Sequence, residues 1–172
     1  MARCFGDGDD LYAEYHDTEW GVPPTTPDEA WLFERLSLEV FQVGLSWLLI
    51  LRRREAFREA FAHFDPHTIA AFTDEDVERL VADGGIVRNR RKIEATITNA
   101  RRLLEMHERG ESLAEVFARH RPEQVITRRG GFEELPAQTE ESAALAVYHA
   151  WWARKKFPSP RCTILTGAAG LE

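Results

Sequence analysis

Leu80-Val81-Ala82-Asp83-Gly84-Gly85-Ile86-Val87-Arg88-Asn89-Arg90-Arg91-Lys92-Ile93 decides how the rest of this chain is read. A helix runs into two glycines, a short apolar step follows, and a basic amphipathic helix begins. Upstream, Thr73 with Asp76 has the spacing of a capping box, predicting a helix that buries Val77, Leu80 and Val81 and stops at Gly84-Gly85. Downstream, Ile93, Ile97, Ala100 and Leu104 recur at helical spacing and predict a long helix closing near Gly110. Glycines between two helices permit positive φ and leave backbone amides uncovered. Together with the start of the second helix, such amides form a concave donor site suited to a phosphate oxygen. A Gly-Gly pair is also an ordinary way to stop a helix, so both readings stand at this point.

Charge adds weight to the first reading. The 172 residues carry 22 Lys or Arg against 29 Asp or Glu, a net charge of −7. From Arg79 to Arg129, however, twelve basic residues face seven acidic ones, a local net of +5. From Val87 to Arg102, Arg88, Arg90, Arg91, Lys92, Arg101 and Arg102 stand against Glu94 alone. This asymmetry fits a nucleic-acid face on an otherwise acidic protein, or a solvated helix surface. The hairpin with basic residues after it is the physical content of a helix-hairpin-helix DNA-binding element.

Composition excludes other classes. With 44% hydrophobic residues, five Trp and ten Phe, the chain has material for a packed core and is not a disordered segment. No apolar run reaches the roughly 18 residues of a membrane span, and Met1 to Asp7 do not read as a signal peptide. Cys4 and Cys162 make no disulfide framework, which fits a reducing cytoplasm. Further helices are expected from Pro27-Asp28-Glu29, with Leu32, Leu36 and Val40 on one face, and as one run from Leu45 to Phe61. Glu111 to Arg119 and Thr139 to Lys156 are weaker helical segments, and Gly130-Gly131 with Pro136 marks a loop. No stretch alternates with period two, so the expected fold is all-α. A single domain over residues 1–172 is expected, with a helical core at 26–110, the hairpin at about 77–104, and the N- and C-terminal segments packing together.

Two segments are unusual for plain core. Tyr12-Ala13-Glu14-Tyr15-His16-Asp17-Thr18-Glu19-Trp20 sets aromatic rings among acids without a clean helical stripe. Ser37-Leu38-Glu39-Val40-Phe41-Gln42-Val43-Gly44-Leu45-Ser46-Trp47 places Glu39 among apolar residues of a helix that otherwise looks buried. A buried carboxylate must be hydrogen-bonded internally or be reserved for a ligand. Aromatic rings with one acceptor are what recognition of a flipped base requires.

Taken in order, Arg3-Cys4, Leu11-Tyr12, Tyr15-His16-Asp17-x-Glu19-Trp20-Gly21-x-Pro23, Leu38-Glu39, Gln42-x-Gly44-Leu45-Ser46-Trp47 and Leu80-Val81-x-Asp83-x-Gly85-Ile86-x-Arg88-x-Arg90-x-Lys92-Ile93 closely resemble the 3-methyladenine DNA glycosylase I family. Phe64-Asp65-Pro66 and Asn99-Ala100 fit as well, and the likeness is collinear from Arg3 to about Pro136. The resemblance implies a helix-hairpin-helix glycosylase fold and hydrolysis of the N-glycosidic bond of 3-methyladenine in alkylated double-stranded DNA, by base flipping and without a lyase step. It implies that Glu39 hydrogen-bonds the methylated base, that Trp47 and Tyr15 line the pocket beside Tyr12 and Trp20, and that Leu45 wedges into the duplex. Gln42, Gly44, Gly84, Gly85, Ile86, Arg88, Arg90 and Lys92 are the expected DNA contacts. The protein is expected to act as a monomer and to need no cofactor.

The chain departs from the family pattern near its end. Cys4 and His16 match half of a structural zinc site, but no His follows His149, and Cys162 stands in a different context. Phe5-Gly6 replaces the usual Trp near Cys4. No Asp occurs beyond Asp83, so no carboxylate nucleophile follows the hairpin and Glu39 is the one catalytic candidate. An alternative of another class is a protein of the same fold that binds alkylated DNA without cleaving it.

Overall fold

The computed structural model describes residues 3, 5–20, 28–120, 140, 143 and 144, all of whose regular elements are helices. The segment Thr139 to Lys156, apart from residues 140, 143 and 144, lies outside the described residues, as do Cys4, the Gly130-Gly131 and Pro136 loop and Cys162. The chain divides into two compact units, Asp28–Leu113 on one side and Met1–Pro27 with Ala114–Glu172 on the other. No described helix is long and apolar enough to cross a membrane.

In the unit Asp28–Leu113, Asp28 accepts the Trp31 amide at 2.6 Å and starts α2 (Glu29–Gln42). Leu32 and Leu36 are buried as their spacing predicts, but Phe33, Glu34, Arg35, Ser37, Leu38, Glu39 and Phe41 are buried too. The helix is covered on nearly every side, so the apolar stripe described only part of its interior. The expected single helix from Leu45 to Phe61 is instead two, α3 (Trp47–Arg52) and α4 (Arg54–Ala60), broken at Arg53. At that break Arg53 sends its guanidinium away to the carbonyls of Gly84 and Ile86, at 3.3 and 2.8 Å.

Phe41, Phe57, Phe61 and Phe64 are fully buried, with adjacent rings 4.6 to 6.3 Å apart. Each such burial is worth about 2 kcal/mol or more, and ring pairing adds to it. Phe41 in this cluster anchors the C-terminal end of α2 two residues after Glu39. A left-handed turn over Ala62–Phe64, with φ of 49°, 53° and 59°, then leads to α5 (Pro66–Ala70), which Asp65 caps.

Thr73 and Asp76 form the predicted capping box on α6 (Asp74–Ala82), which buries Val77 and Leu80 and leaves Val81 half-buried. A loop over residues 83–89 joins it to α7 (Arg90–Glu108), whose N-cap is Asn89. Ile93, Ile97, Ala100, Leu103 and Met106 are buried, so the apolar face runs through Leu103 to Met106 rather than through Leu104, which is half-buried. α7 packs on α5, α6 and α2, and α2 packs on α3. The hairpin helix and the helix bearing Glu39 are therefore direct neighbours.

Glu29 accepts from the Leu113 amide at 2.9 Å and lies 2.6 Å from His107, tying the start of α2 to the end of this unit. Leu113 opens α8 (Leu113–Arg119).

In the other unit, Asp9 caps α1 (Asp10–Thr18) by accepting from the Tyr12 amide.

Candidate active site

The C-terminal end of α2, the turn after it and the first residue of α3 concentrate most of the residues singled out in the sequence. Glu39, 8% exposed, lies in the last turn of α2 beside Leu38 and two residues before Phe41, both fully buried. After Gln42 the chain reverses through Val43-Gly44-Leu45-Ser46, with the Leu45 amide donating to the Gln42 carbonyl at 2.6 Å. Gly44 has φ +85°, a left-handed conformation that a side chain disfavours, and an added Cβ there would meet open space. The requirement is therefore conformational. Val43 and Gly44 are exposed and Leu45 half-exposed, so the turn presents an apolar tip. Ser46 then accepts the Leu49 amide and starts α3 on Trp47, which is 8% exposed.

The hairpin loop is held differently from the way its glycines suggested. Neither Gly84 nor Gly85 has positive φ. Gly85 is needed for space: a Cβ would stand 3.1 Å from both the Ala56 Cβ and the Asp83 carboxylate. Its amide donates to Asp83 Oδ1 at 2.7 Å and so is not one of the open donors. Ile86 is 1% exposed, a core side chain rather than a surface contact, and its carbonyl is held by Arg53. The amides of Gly84, Val87 and Arg88 donate to no acceptor among the described residues, and these residues are exposed or half-buried, so they are the donors the loop can offer. Arg53, which shapes this loop together with Asp83, was not singled out from the sequence, because its partners are backbone carbonyls far along the chain.

Side-chain positions also revise the basic face. Lys92 does not point to solvent. Its ammonium donates to the carbonyls of Phe41 and Val43, at 2.9 and 2.7 Å, and its burial lowers its pKa from the usual lysine value. Arg101 donates to the Ala70 and Phe72 carbonyls, both at 2.9 Å, and Arg102 pairs with Glu105. Arg90 is on the surface but pairs with Glu78 at 2.6 Å and lies 3.7 Å from Glu94. Of the six basic residues from Arg88 to Arg102, only Arg88 and Arg91 are exposed with no side-chain partner among the described residues.

In the unit with α1, Phe5 is the hub of an aromatic cluster. Its ring lies 4.8 Å from Tyr12, 4.9 Å from His16, 5.3 Å from Trp20 and 6.3 Å from Tyr15. Tyr15 is buried, and Tyr12, His16 and Trp20 are half-buried. The residue that departs from the expected tryptophan thus organises the tyrosines. Arg3 grips Asp17 through Nε and Nη2, at 2.9 and 2.6 Å, and His16 Nδ1 lies 3.0 Å from the same carboxylate. Arg3 foremost, with His16, holds the Asp17 carboxyl far below the usual carboxylate range. As for zinc, Cys4 lies outside the described residues. Among the described residues no three His, Cys, Asp or Glu side chains are grouped to hold a metal. These residues do not by themselves make the metal site that the resemblance implied.

Regular elements that are all helices among the described residues, a buried carboxylate ahead of an apolar turn, and a glycine loop leading into an arginine-bearing helix fit a helical glycosylase-like class. Residues 5–148 match the family described as methyladenine glycosylase, and the chain belongs to that family. DNA-3-methyladenine glycosylase 1 of Escherichia coli (strain K12) is 46% identical over 150 residues, covering 85% of this chain and 78% of the relative. The DNA-3-methyladenine glycosylase of Haemophilus influenzae is 39% identical over 139 residues, 79% of this chain and 73% of its own. A crystal structure of a 3-methyladenine DNA glycosylase I superimposes with a TM-score of 0.89 at 42% identity, over 99% of this chain and 93% of the other. The Staphylococcus aureus 3-methyladenine DNA glycosylase I, whose recognition of 3-methyladenine has been described structurally, gives 0.86 at 30% identity, over 98% and 89%.

Proposed function

We propose that this chain is a base-excision repair enzyme that hydrolyses the N-glycosidic bond of 3-methyladenine in alkylated double-stranded DNA, acting as a monomer in the cytoplasm and without a cofactor. The observation that carries the reading is the position of Glu39, a carboxylate shielded from water at the end of α2, next to a turn that offers Leu45. Family membership and the relatives' activity support it.

The chemistry asks little of an acid. Methylation at N3 makes the base cationic while it is still attached, so the leaving group is already activated. Cleavage of the C1′–N9 bond leaves the electron pair on the base, which departs neutral, and positive charge develops on the sugar. Water adds its oxygen to C1′ and releases a proton to solvent, giving the abasic sugar. A carboxylate such as Glu39 favours the cationic base over neutral adenine, and the more so where water is excluded. In this reading Trp47, Tyr15, Tyr12 and Trp20 supply ring surfaces to the extruded base, and Leu45 fills the gap it leaves. Gln42 and Gly44 shape that wedge, and the amides of Gly84, Val87 and Arg88 with the Arg88 side chain meet phosphate.

Single-turnover incubation of the protein with methylated duplex DNA tests the proposal, with free 3-methyladenine as the readout. Release of the base is the expected result. Tight binding without release would make the chain a non-cleaving reader of alkylated DNA.

The electrostatic part of the reading makes a separate prediction. Arg88→Ala and Arg91→Ala should each weaken binding to undamaged duplex and reduce the slope of log K against log salt by about one. Arg90→Ala should change the slope less, since Glu78 already neutralises Arg90. Equal slopes for all three variants and the parent would remove this segment from the DNA face.

A further inference from the structure

We propose that Lys92 is a positioning residue of the excision reaction, an internal strut from the hairpin helix to the end of α2 that fixes the Leu45 turn and the Glu39 helix end. The inference rests on the proposed function.

A helix leaves its last four carbonyls without intrahelical partners. At α2 the Lys92 ammonium takes the carbonyl of Phe41 and then that of Val43, the first residue of the turn. A cation is electrostatically favoured at this end of a helix. The other end of the strut is equally well fixed. Lys92 is in the first turn of α7, and its amide donates to the Asn89 side chain that caps that helix. Asn89 ends the loop whose carbonyls at Gly84 and Ile86 Arg53 holds. One continuous set of hydrogen bonds therefore runs from the hairpin loop, through Asn89 and Lys92, to the Val43 carbonyl.

The turn itself has little else to hold it. Besides the Lys92 contact, its backbone bonds are the Leu45 amide to the Gln42 carbonyl, a long one of 3.4 Å from the Val43 amide to the Val40 carbonyl, and the Leu49 amide to the Ser46 carbonyl at 3.2 Å where α3 begins. A wedge that enters stacked bases must keep its shape under load, and a carboxylate that reads a base must keep its place to a fraction of an ångström. The ammonium is turned inward, so it takes no part in salt-dependent attraction to phosphate. Arg91, its exposed neighbour, is left for that role.

The test compares Lys92→Met and Lys92→Arg with the parent as full chains. Three quantities are measured: the rate constant of 3-methyladenine release from methylated duplex at saturating enzyme, the Kd for undamaged duplex, and the salt slope of that Kd. Lys92→Met should lower the saturated rate constant by roughly 10- to 100-fold, a typical cost of a misplaced catalytic group. Its Kd should stay within about threefold of the parent's with the same salt slope, because no phosphate contact is lost. Lys92→Arg, which keeps cationic donors, should recover most of the rate. Lys92→Gln takes the place of Lys92→Met if the latter does not fold.

A slope lower by about one with an unchanged saturated rate would make Lys92 a phosphate contact and overturn the proposal. A lower thermal midpoint with unchanged rate and Kd would reduce it to helix support and overturn it as well. A parent that releases no 3-methyladenine overturns the proposed function itself, whereas equal release by the parent and Lys92→Met overturns only the strut.

Discussion

Glu39→Gln should slow single-turnover release of 3-methyladenine by about 100- to 1000-fold, or about 3 to 4 kcal/mol of barrier, the usual cost of removing one preorganised electrostatic partner. Glutamine keeps the shape and one acceptor oxygen but not the charge, so the loss isolates the attraction between a carboxylate and a cationic base. Glu39 is the residue to change because it is almost fully shielded at 8% exposure. In such surroundings a charge interaction is far less screened than at a surface. Affinity for undamaged duplex should change by less than about threefold, since that affinity comes from phosphate contacts on other elements. Release from Glu39→Gln at the parent rate would mean that another group discriminates the methylated base.

The largest expected effect on stability lies five residues earlier in the same helix. Glu34, 6% exposed, accepts from Arg54 Nε at 2.7 Å through Oε1 and from Arg58 Nη2 and Nε, both at 2.9 Å. Arg58 has a second acceptor in Glu55, whereas the Arg54 side chain is only 12% exposed. Glu34→Ala would take the acceptor from Arg54 Nε in a poorly hydrated place, and breaking a buried pair from one side costs about 3 kcal/mol. At the size of this chain that corresponds to a fall of roughly 6–12 °C in the thermal midpoint. Adding Arg54→Met to Glu34→Leu should restore much of it, because the desolvation cost then disappears from both sides. An unchanged midpoint for Glu34→Ala would show that the pair contributes nothing to the fold.

What was legible in the sequence was what is decided locally. The Thr73–Asp76 box, the end of α6 before the glycines and the long helix after them follow from caps and periodicity within a few residues. What was not legible depends on partners far along the chain. The break at Arg53 has no glycine or proline to announce it, and its guanidinium reaches carbonyls 31 and 33 residues away. Lys92 and Arg101 were counted as surface charge, yet both end on backbone carbonyls of distant segments. Helical position alone does not distinguish a cation that meets solvent from one that caps a neighbouring helix. For α2 the apolar stripe identified one face, whereas in the structure α3, α7 and the turn over Ala62–Phe64 all pack on the helix and Glu39 is buried as well.

The candidate site divides along the same line. Glu39, Gln42, Gly44, Leu45 and Trp47 lie within nine residues of one another, and the structure sets them along one helix end, one turn and one helix start. Tyr12, Tyr15 and Trp20 are gathered in the other unit around Phe5, the residue that broke the expected pattern. Phenylalanine supplies the aromatic surface on which those rings pack.

Calorimetric titration of the full chain with free 3-methyladenine and with adenine, repeated on Glu39→Gln, probes the central claim most directly, since it involves no DNA. The account predicts saturable one-to-one binding of 3-methyladenine, much weaker binding of adenine, and loss of that preference in the variant. Equal binding of the two bases by the parent, or an unaltered preference in Glu39→Gln, would contradict it.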